Sequence, residues 1–269
     1  MIADTSPTDK FSDAYYARRS WLAYAIFALN LLVFAMMVKA SVLPLRWMLV
    51  SGNDHVTLIN FGAKTNFWLL QQQQWFRLIT PLFIHIGLLH LITNSYALCI
   101  VGPIVERLYG SAKFAVLYLL TGMAGIAGSL LSTRFYQQDG PAAGSSGALF
   151  GLFGVLIVVS YKYRHELPDT FRRAFRKGVL TVVAINLLFG LVSNFSKSLR
   201  FNLPLHFVDN WAHVAGLLTG AILAMILPYL APEKKQHSGL EKTLLIISLL
   251  LVSYCFWRAY QLRPFIFQR

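Results

Sequence analysis

Residues 140–161 read GPAAGSSGALFGLFGVLIVVSY, an uncharged run that carries Ser146 near its start. A membrane-spanning helix needs roughly 20 predominantly apolar residues, so this run is long enough to cross a bilayer. A second run, residues 210–231, reads NWAHVAGLLTGAILAMILPYLA and holds His213 in the same early position. Polar and ionisable groups are costly to keep in hydrocarbon, which makes each a functional-site hypothesis by default. A hydroxyl beside an imidazole is the smallest pair of side chains that can form an acyl-enzyme. Together the two segments point to serine-protease chemistry inside a membrane.

The rest of the chain is built the same way. Of 269 residues, 56% are hydrophobic and 13% charged, with a mean hydropathy of +0.55. A soluble domain of this length carries about twice that charge. Further uncharged runs cover residues 21–38, 78–105, 114–133 and 178–196, with a shorter seventh at 243–257. Seven transmembrane helices are therefore expected. The 78–105 run is too long for one simple span, and Pro81 marks the part that lies outside the helix. Only about 20 residues precede the first span and no small-residue cleavage site follows it, so a retained first helix is expected. Asp4, Asp9 and Asp13 are unlike an acidic-poor transit peptide.

The net charge of +13 is explained by topology. Its densest block, Lys162, Arg164, Arg172, Arg173, Arg176 and Lys177, lies between spans four and five, which places that loop in the cytoplasm. Alternation then puts the N-terminus inside, with Lys10, Arg18 and Arg19, and also the loop bearing Lys234, Lys235 and Lys242. The tail with Arg258, Arg263 and Arg269 falls outside and departs from the rule. No aromatic-basic motif accompanies the charge, so nucleic acid is not an expected partner. The lipid bilayer is, with anionic headgroups at the basic loops. Cys99 and Cys255 have no Cys or His partner at ligand spacing, so they are expected to be buried small hydrophobes rather than a disulfide framework or metal ligands.

Three segments form the expected organisation. Residues 1–20 are a short cytoplasmic segment, and residues 21–231 a six-helix catalytic core. Residues 232–269 add a cytoplasmic loop, a seventh helix and a short tail. Residues 39–80 form an external, interfacial loop with Trp47, Phe61, Phe67, Trp68, Trp75 and Phe76. With the N-terminus inside, spans two, four and six all run inward from the outer face. His90 and Asn94, Ser146, and His213 then lie in one outer layer of the membrane.

Within that layer the residue types fit together. Ser146 opens a helix, where unpaired N–H groups and the positive dipole end gather. Gly147 and Gly151 form one Gly-xxx-Gly pair, and Gly216 and Gly220 another on the His213 face. Such faces let backbones approach closely and can bring a nucleophile within reach of its general base. His90 and Asn94, four residues apart, share one face and can both donate to an oxyanion. Asp209 lies four residues before His213 and is read as a helix cap, leaving a Ser–His dyad.

Taken in order, these residues resemble the rhomboid family of intramembrane serine proteases. The likeness covers roughly residues 60–225. It rests on Trp75-Phe76-Arg77, HIGLLHLITN with His85, His90 and Asn94, Gly102-Pro-Ile-Val-Glu106, GSSGALFGLFG and DNWAHVAGLLTG. It implies an all-α polytopic membrane protein, with a rhomboid-like six-helix core plus a C-terminal seventh transmembrane helix. It implies Ser146 as nucleophile, His213 as general base, and His90, Asn94 and the Ser146 N–H as oxyanion donors. Arg77 and Glu106 match positions that brace the first external loop and its neighbours. Phe150, often Tyr in relatives, can pack on the His213 ring. The implied reaction is cleavage in or beside transmembrane segments of membrane-protein substrates, favoured by helix-weakening residues and needing no cofactor. From the charge topology and the acidic N-terminal segment, the expected location is a bacterial inner membrane, multi-pass, with the N-terminus cytoplasmic and the active site toward the outer face. The rival reading is an inactive rhomboid-like protein that binds or chaperones membrane clients.

Overall fold

A computed structural model describes residues 6–41, 43–50, 52, 54–136, 140–198, 208–229 and 239–263. The expected residues Lys234, Lys235 and Arg269 lie outside them. Among the described residues the chain is all-α. The helices are α1 Pro7–Ala17, α2 Leu22–Ala40, α3 Leu45–Val50, α4 His55–Asn60 and α5 Leu88–Tyr109. They continue as α6 Ser111–Tyr136, α7 Ser146–Lys162, α8 Asp169–Ser198, α9 Asn210–Ile226 and α10 Gly239–Gln261.

The seven apolar runs correspond to α2 and α5–α10, with instructive differences at their ends. Pro81 sits in a 3₁₀ turn, Thr80–Phe83, and Gly87 is fully extended before α5 begins. The long second run is thereby divided into a buried turn and a helix. α8 starts at Asp169, earlier than its uncharged stretch, because the basic segment continues the helix and long cationic side chains can reach water from it. Five described helices are long and apolar enough to span. α7 and α9 are apolar but have only 17 residues each, about 25 Å against a hydrocarbon core of about 30 Å. The two segments expected to reach from residue 140 and to residue 231 are therefore shorter than their runs. The chain around Gly144 and the segment beyond Leu227 leave the helix.

α6, α7 and α9 form the centre of the bundle, with α9 packed most extensively on α7. α2 packs on α5, where a Cβ on Gly102 would stand 2.8 Å from Ala23 Cβ. α10 lies against α6 and the 3₁₀ turns, with the Phe256 and Phe83 rings 5.8 Å apart. α8 is loosely packed, presenting Leu180, Ile185, Leu188 and Leu191 outward. Such side chains suit a helix solvated by lipid.

The loop between α2 and α5 is folded, with α3, α4, a π-helical turn Phe67–Gln71 and 3₁₀ turns Trp75–Leu78 and Thr80–Phe83. Trp47, Phe67 and Trp75 are exposed, whereas Leu69 and Phe76 are buried. Residues 7–17 are helical as α1 and docked. Phe11 and Tyr15 are buried against Phe171, and Phe11 also meets Tyr229. Arg18 Nη1 donates to the Arg107 carbonyl at 3.0 Å, and the Tyr229 hydroxyl donates to Glu166. Burial, reinforced by the Glu166 carboxylate, pushes the Tyr229 phenol above its usual value.

Candidate active site

Glycines set the distance between the three central helices. A Cβ on Gly216 would overlap the Gly147 carbonyl, and one on Gly220 would overlap the Gly151 carbonyl. A Cβ on Gly125 would lie 3.0 Å from Gly147 Cα and 3.1 Å from the Ala212 carbonyl oxygen. Gly125 on α6 thus touches the residue after Ser146 and the residue before His213. Gly128, one turn on, would meet the Trp211 carbonyl at 2.6 Å, and Gly122 would overlap the Leu82 side chain. The α6 stripe Gly122, Gly125 and Gly128 went unread in the sequence, although its spacing of three was the signal that could have revealed it.

Ser146 is the first residue of α7 and half-buried, while Ser145 before it is fully buried. Gly144 has φ +131°, a left-handed backbone that favours glycine, and its N–H donates to the Pro81 carbonyl at 2.9 Å. This turn is also tied to the loop between α2 and α5: Lys64 and Ala142 exchange backbone hydrogen bonds of 3.0 and 2.8 Å. The fully buried Lys64 Nζ reaches the Ser129 carbonyl on α6.

His213 is buried in the first turn of α9. Asp209 caps that helix, its carboxylate accepting from the Trp211 and Ala212 N–H groups at 3.1 Å each. The imidazole lies flat on Phe150, centroids 3.9 Å apart and planes 6° apart. Phe150 is one turn below Ser146 on α7, so Ser146 and His213 lie at one level of the α7–α9 contact. Neither ring nitrogen of His213 has a hydrogen-bond partner among the described residues.

His90 reaches the same turn from α5. A Cβ on Gly144 would lie 2.5 Å from its Cε1 and 2.8 Å from its Nε2. His85, fully buried, meets the His90 ring edge-on at 5.4 Å. Asn94 Nδ2 donates to the His90 carbonyl at 3.0 Å, which occupies one of its two N–H donors.

Arg77 and Glu106 lie apart from this cluster. Arg77 braces the loop between α2 and α5: Nη1 donates to the Ile59 and Ala63 carbonyls at 2.8 and 2.7 Å, and Nε to Gln74 Oε1 at 2.8 Å. Burial lowers its pKa to about 10. Among the described residues, the hydrogen bonds of Glu106 go elsewhere. It sits in the last turns of α5, opposite His90, and accepts from the Trp21, Leu22 and Ala23 N–H groups and the Ser111 hydroxyl. It caps α2, whose start has no side-chain cap from its own N-cap residue.

An all-α bundle of apolar helices, with this folded loop and buried histidines beside a close helix contact, defines a multi-pass membrane protein. The chain belongs to the rhomboid family: the Rhomboid domain model matches residues 72–230. It is 41% identical over 172 residues to Rhomboid protease GluP of Bacillus subtilis (strain 168), covering 64% of this chain and 29% of that protein. It is 33% identical over 188 residues to RHOMBOID-like protein 6, mitochondrial, of Arabidopsis thaliana, covering 68% of this chain and 54% of that one. RHOMBOID-like protein 2 of the same plant is 28% identical over 267 residues, with 87% and 78% covered. The chain therefore spans only part of the length of the first two relatives.

Proposed function

We propose that this protein is an intramembrane serine endopeptidase acting on transmembrane segments of membrane proteins. The observation that carries the reading is the buried His213 imidazole, held flat on Phe150, which lies one helical turn from Ser146, with no hydrogen-bond partner for its ring nitrogens among the described residues. The protease named among the relatives supports it.

His213 takes the Ser146 proton as Oγ attacks the scissile carbonyl. The resulting oxyanion accepts from the Ser146 N–H, His90 and the second N–H of Asn94. His213 then protonates the leaving amine, and the C–N bond breaks. The same imidazole takes a proton from water as it attacks the ester, then returns it to Ser146 Oγ as the ester C–O bond breaks and the acid leaves. A helical substrate hides its carbonyls, so the cut segment unwinds locally before attack. The basic loops favour an orientation with the N-terminus in the cytoplasm and Ser146 toward the outer face of a bacterial inner membrane.

The test is labelling of the purified protein, in detergent and in liposomes, with a fluorophosphonate serine probe. Mass spectrometry should place the adduct on Ser146. Labelling is expected to vanish in Ser146→Ala and His213→Ala and to persist in Ser145→Ala. A folded wild-type protein that stays unlabelled in both media would favour the client-binding reading instead.

A further inference from the structure

α8 supplies none of the residues assigned to the chemistry, and its spanning stretch is largely exposed. The face it turns inward is narrow. Val179, Val183 and Gly190 are buried, and Leu187 between them packs partly buried on the core. Their spacings of four, four and three place them in one stripe. That stripe meets Asn210, the first residue of α9. Asn210 Nδ2 donates to the Leu187 carbonyl at 3.0 Å. A Cβ on Gly190 would overlap the same carboxamide, so glycine there lets Asn210 seat against α8. Asn210 Oδ1 is buried, with no hydrogen-bond partner among the described residues.

An apolar side chain at position 210 would pack on α8 without burying an unpaired oxygen, which costs free energy away from water. What the carboxamide adds is direction, because a hydrogen bond weakens steeply when its angle is lost. The Leu187 carbonyl is fixed within α8, so the bond sets the position of the α9 opening against that helix. The ties of this turn to Asp209 are local. The Asp209 carboxylate accepts from the Trp211 and Ala212 N–H groups, and its carbonyl accepts the His213 N–H at 3.1 Å. They shape the turn but do not place it in the bundle. Gly125 and Gly128 bear on the turn from α6, and Asn210 holds it from α8. His213 follows three residues later, within one turn.

We propose that Asn210, seated on Gly190 and bonded to the Leu187 carbonyl, is a positioning residue for His213 and makes α8 the brace of the helix that carries the general base. Asn210 touches no reacting atom and acts through the first turn of α9. The proposal rests on the reading of Ser146 as nucleophile and His213 as base. A general base works only within hydrogen-bond reach of the proton it takes. A displacement of about 1 Å in a catalytic group can cost on the order of a hundredfold in rate. α8 therefore belongs to the catalytic apparatus without supplying a reacting group, and a shift of α8 is felt at His213.

The experiment compares wild type, Asn210→Ala, Gly190→Ala and the double variant as full-length protein in detergent, over a range of fluorophosphonate concentrations. The quantities read are the limiting rate of labelling at Ser146, the half-saturating probe concentration and the fraction finally labelled. Both single variants should lower the limiting rate on the order of tenfold, as misplacing a catalytic group does, with the other two quantities unchanged. The double variant should be no slower than the slower single, since both remove one contact. Gly178→Ala, on the same helix with open space at its Cβ position, should label as wild type does. An unchanged limiting rate in Asn210→Ala, a loss confined to the labelled fraction, or losses that multiply in the double variant overturns the proposal. Should Gly190→Ala not fold, Asn210→Leu, which fills the space without a donor, replaces it and should be as slow as Asn210→Ala. An unlabelled wild type overturns the nucleophile reading. Deuterium exchange of the amides in residues 211–214 then decides the hold on α9 by itself: faster exchange in Asn210→Ala supports it, and unchanged exchange overturns it.

Discussion

Phe150 shows how a residue outside the chemistry can set it. Its ring is the floor on which His213 lies, and both are buried. Phe150→Ala should cost about 3–5 kcal/mol in stability, as large aromatic truncations in cores do, and should slow labelling of Ser146. Phe150→Leu, which retains bulk without a flat face, separates packing from ring orientation. Stability recovered without recovery of the labelling rate is the expected result. Asp54 offers a second residue-scale test, outside the membrane. Burial alone would raise its pKa, but hydrogen bonds from Ser41, the Thr57 N–H and the Thr57 hydroxyl outweigh this and hold it below its ordinary value. A lowered folded-state pKa gives stabilisation that is fully present above the unfolded value, about 3.9, and is lost as pH falls through the folded value. Proteolysis of the 45–63 loop should therefore accelerate only below about pH 4. Asp54→Asn should remove that pH dependence and leave the loop more susceptible at neutral pH.

At the scale of elements, the α7–α9 contact is intolerant because backbone meets backbone. Gly216 and Gly220 each face a carbonyl of α7, and a carbonyl in a helix cannot swing aside as a side chain can. Gly216→Ala and Gly220→Ala should push the helices apart, lower the melting temperature and abolish labelling at Ser146. Gly178, with open space at its Cβ position on α8, is the control: Gly178→Ala should stabilise by about 0.5–1 kcal/mol. These pairings across α7 and α9 were visible as Gly-xxx-Gly spacings in two separate runs. The α6 contribution was not weighed, because Gly125 matters only where α7 and α9 converge on it. At the other end of α5, Glu106 is the cap of α2. Glu106→Gln weakens charge-assisted hydrogen bonds and should destabilise by about 1–3 kcal/mol, with the labelling rate of the folded fraction unchanged.

For the whole molecule, the basic segment at the start of α8 and the loop before α5 are expected on opposite faces of the membrane. Gln72 and Arg173 are both exposed. In a chain with Cys99 and Cys255 replaced by alanine, Arg173→Cys should react with a membrane-impermeant maleimide only after lysis. Gln72→Cys should react in intact cells. The opposite pattern would invert the topology and place the Ser146 layer on the inner side. The sequence by itself determined the number and rough place of the apolar helices, since period and hydrocarbon thickness leave little choice for uncharged runs of this length. It also placed Ser146 and His213 near the starts of their runs and His90 and Asn94 in the early half of theirs, whereas the start of α5 after Gly87 came from the structure. Only the tertiary structure decided that α7 and α9 are short, that Glu106 serves α2, and that Lys64 reaches the Ser129 carbonyl. Each of these depends on which distant segment supplies a partner for a polar group, and such pairing between elements has no periodicity along the chain from which to read it.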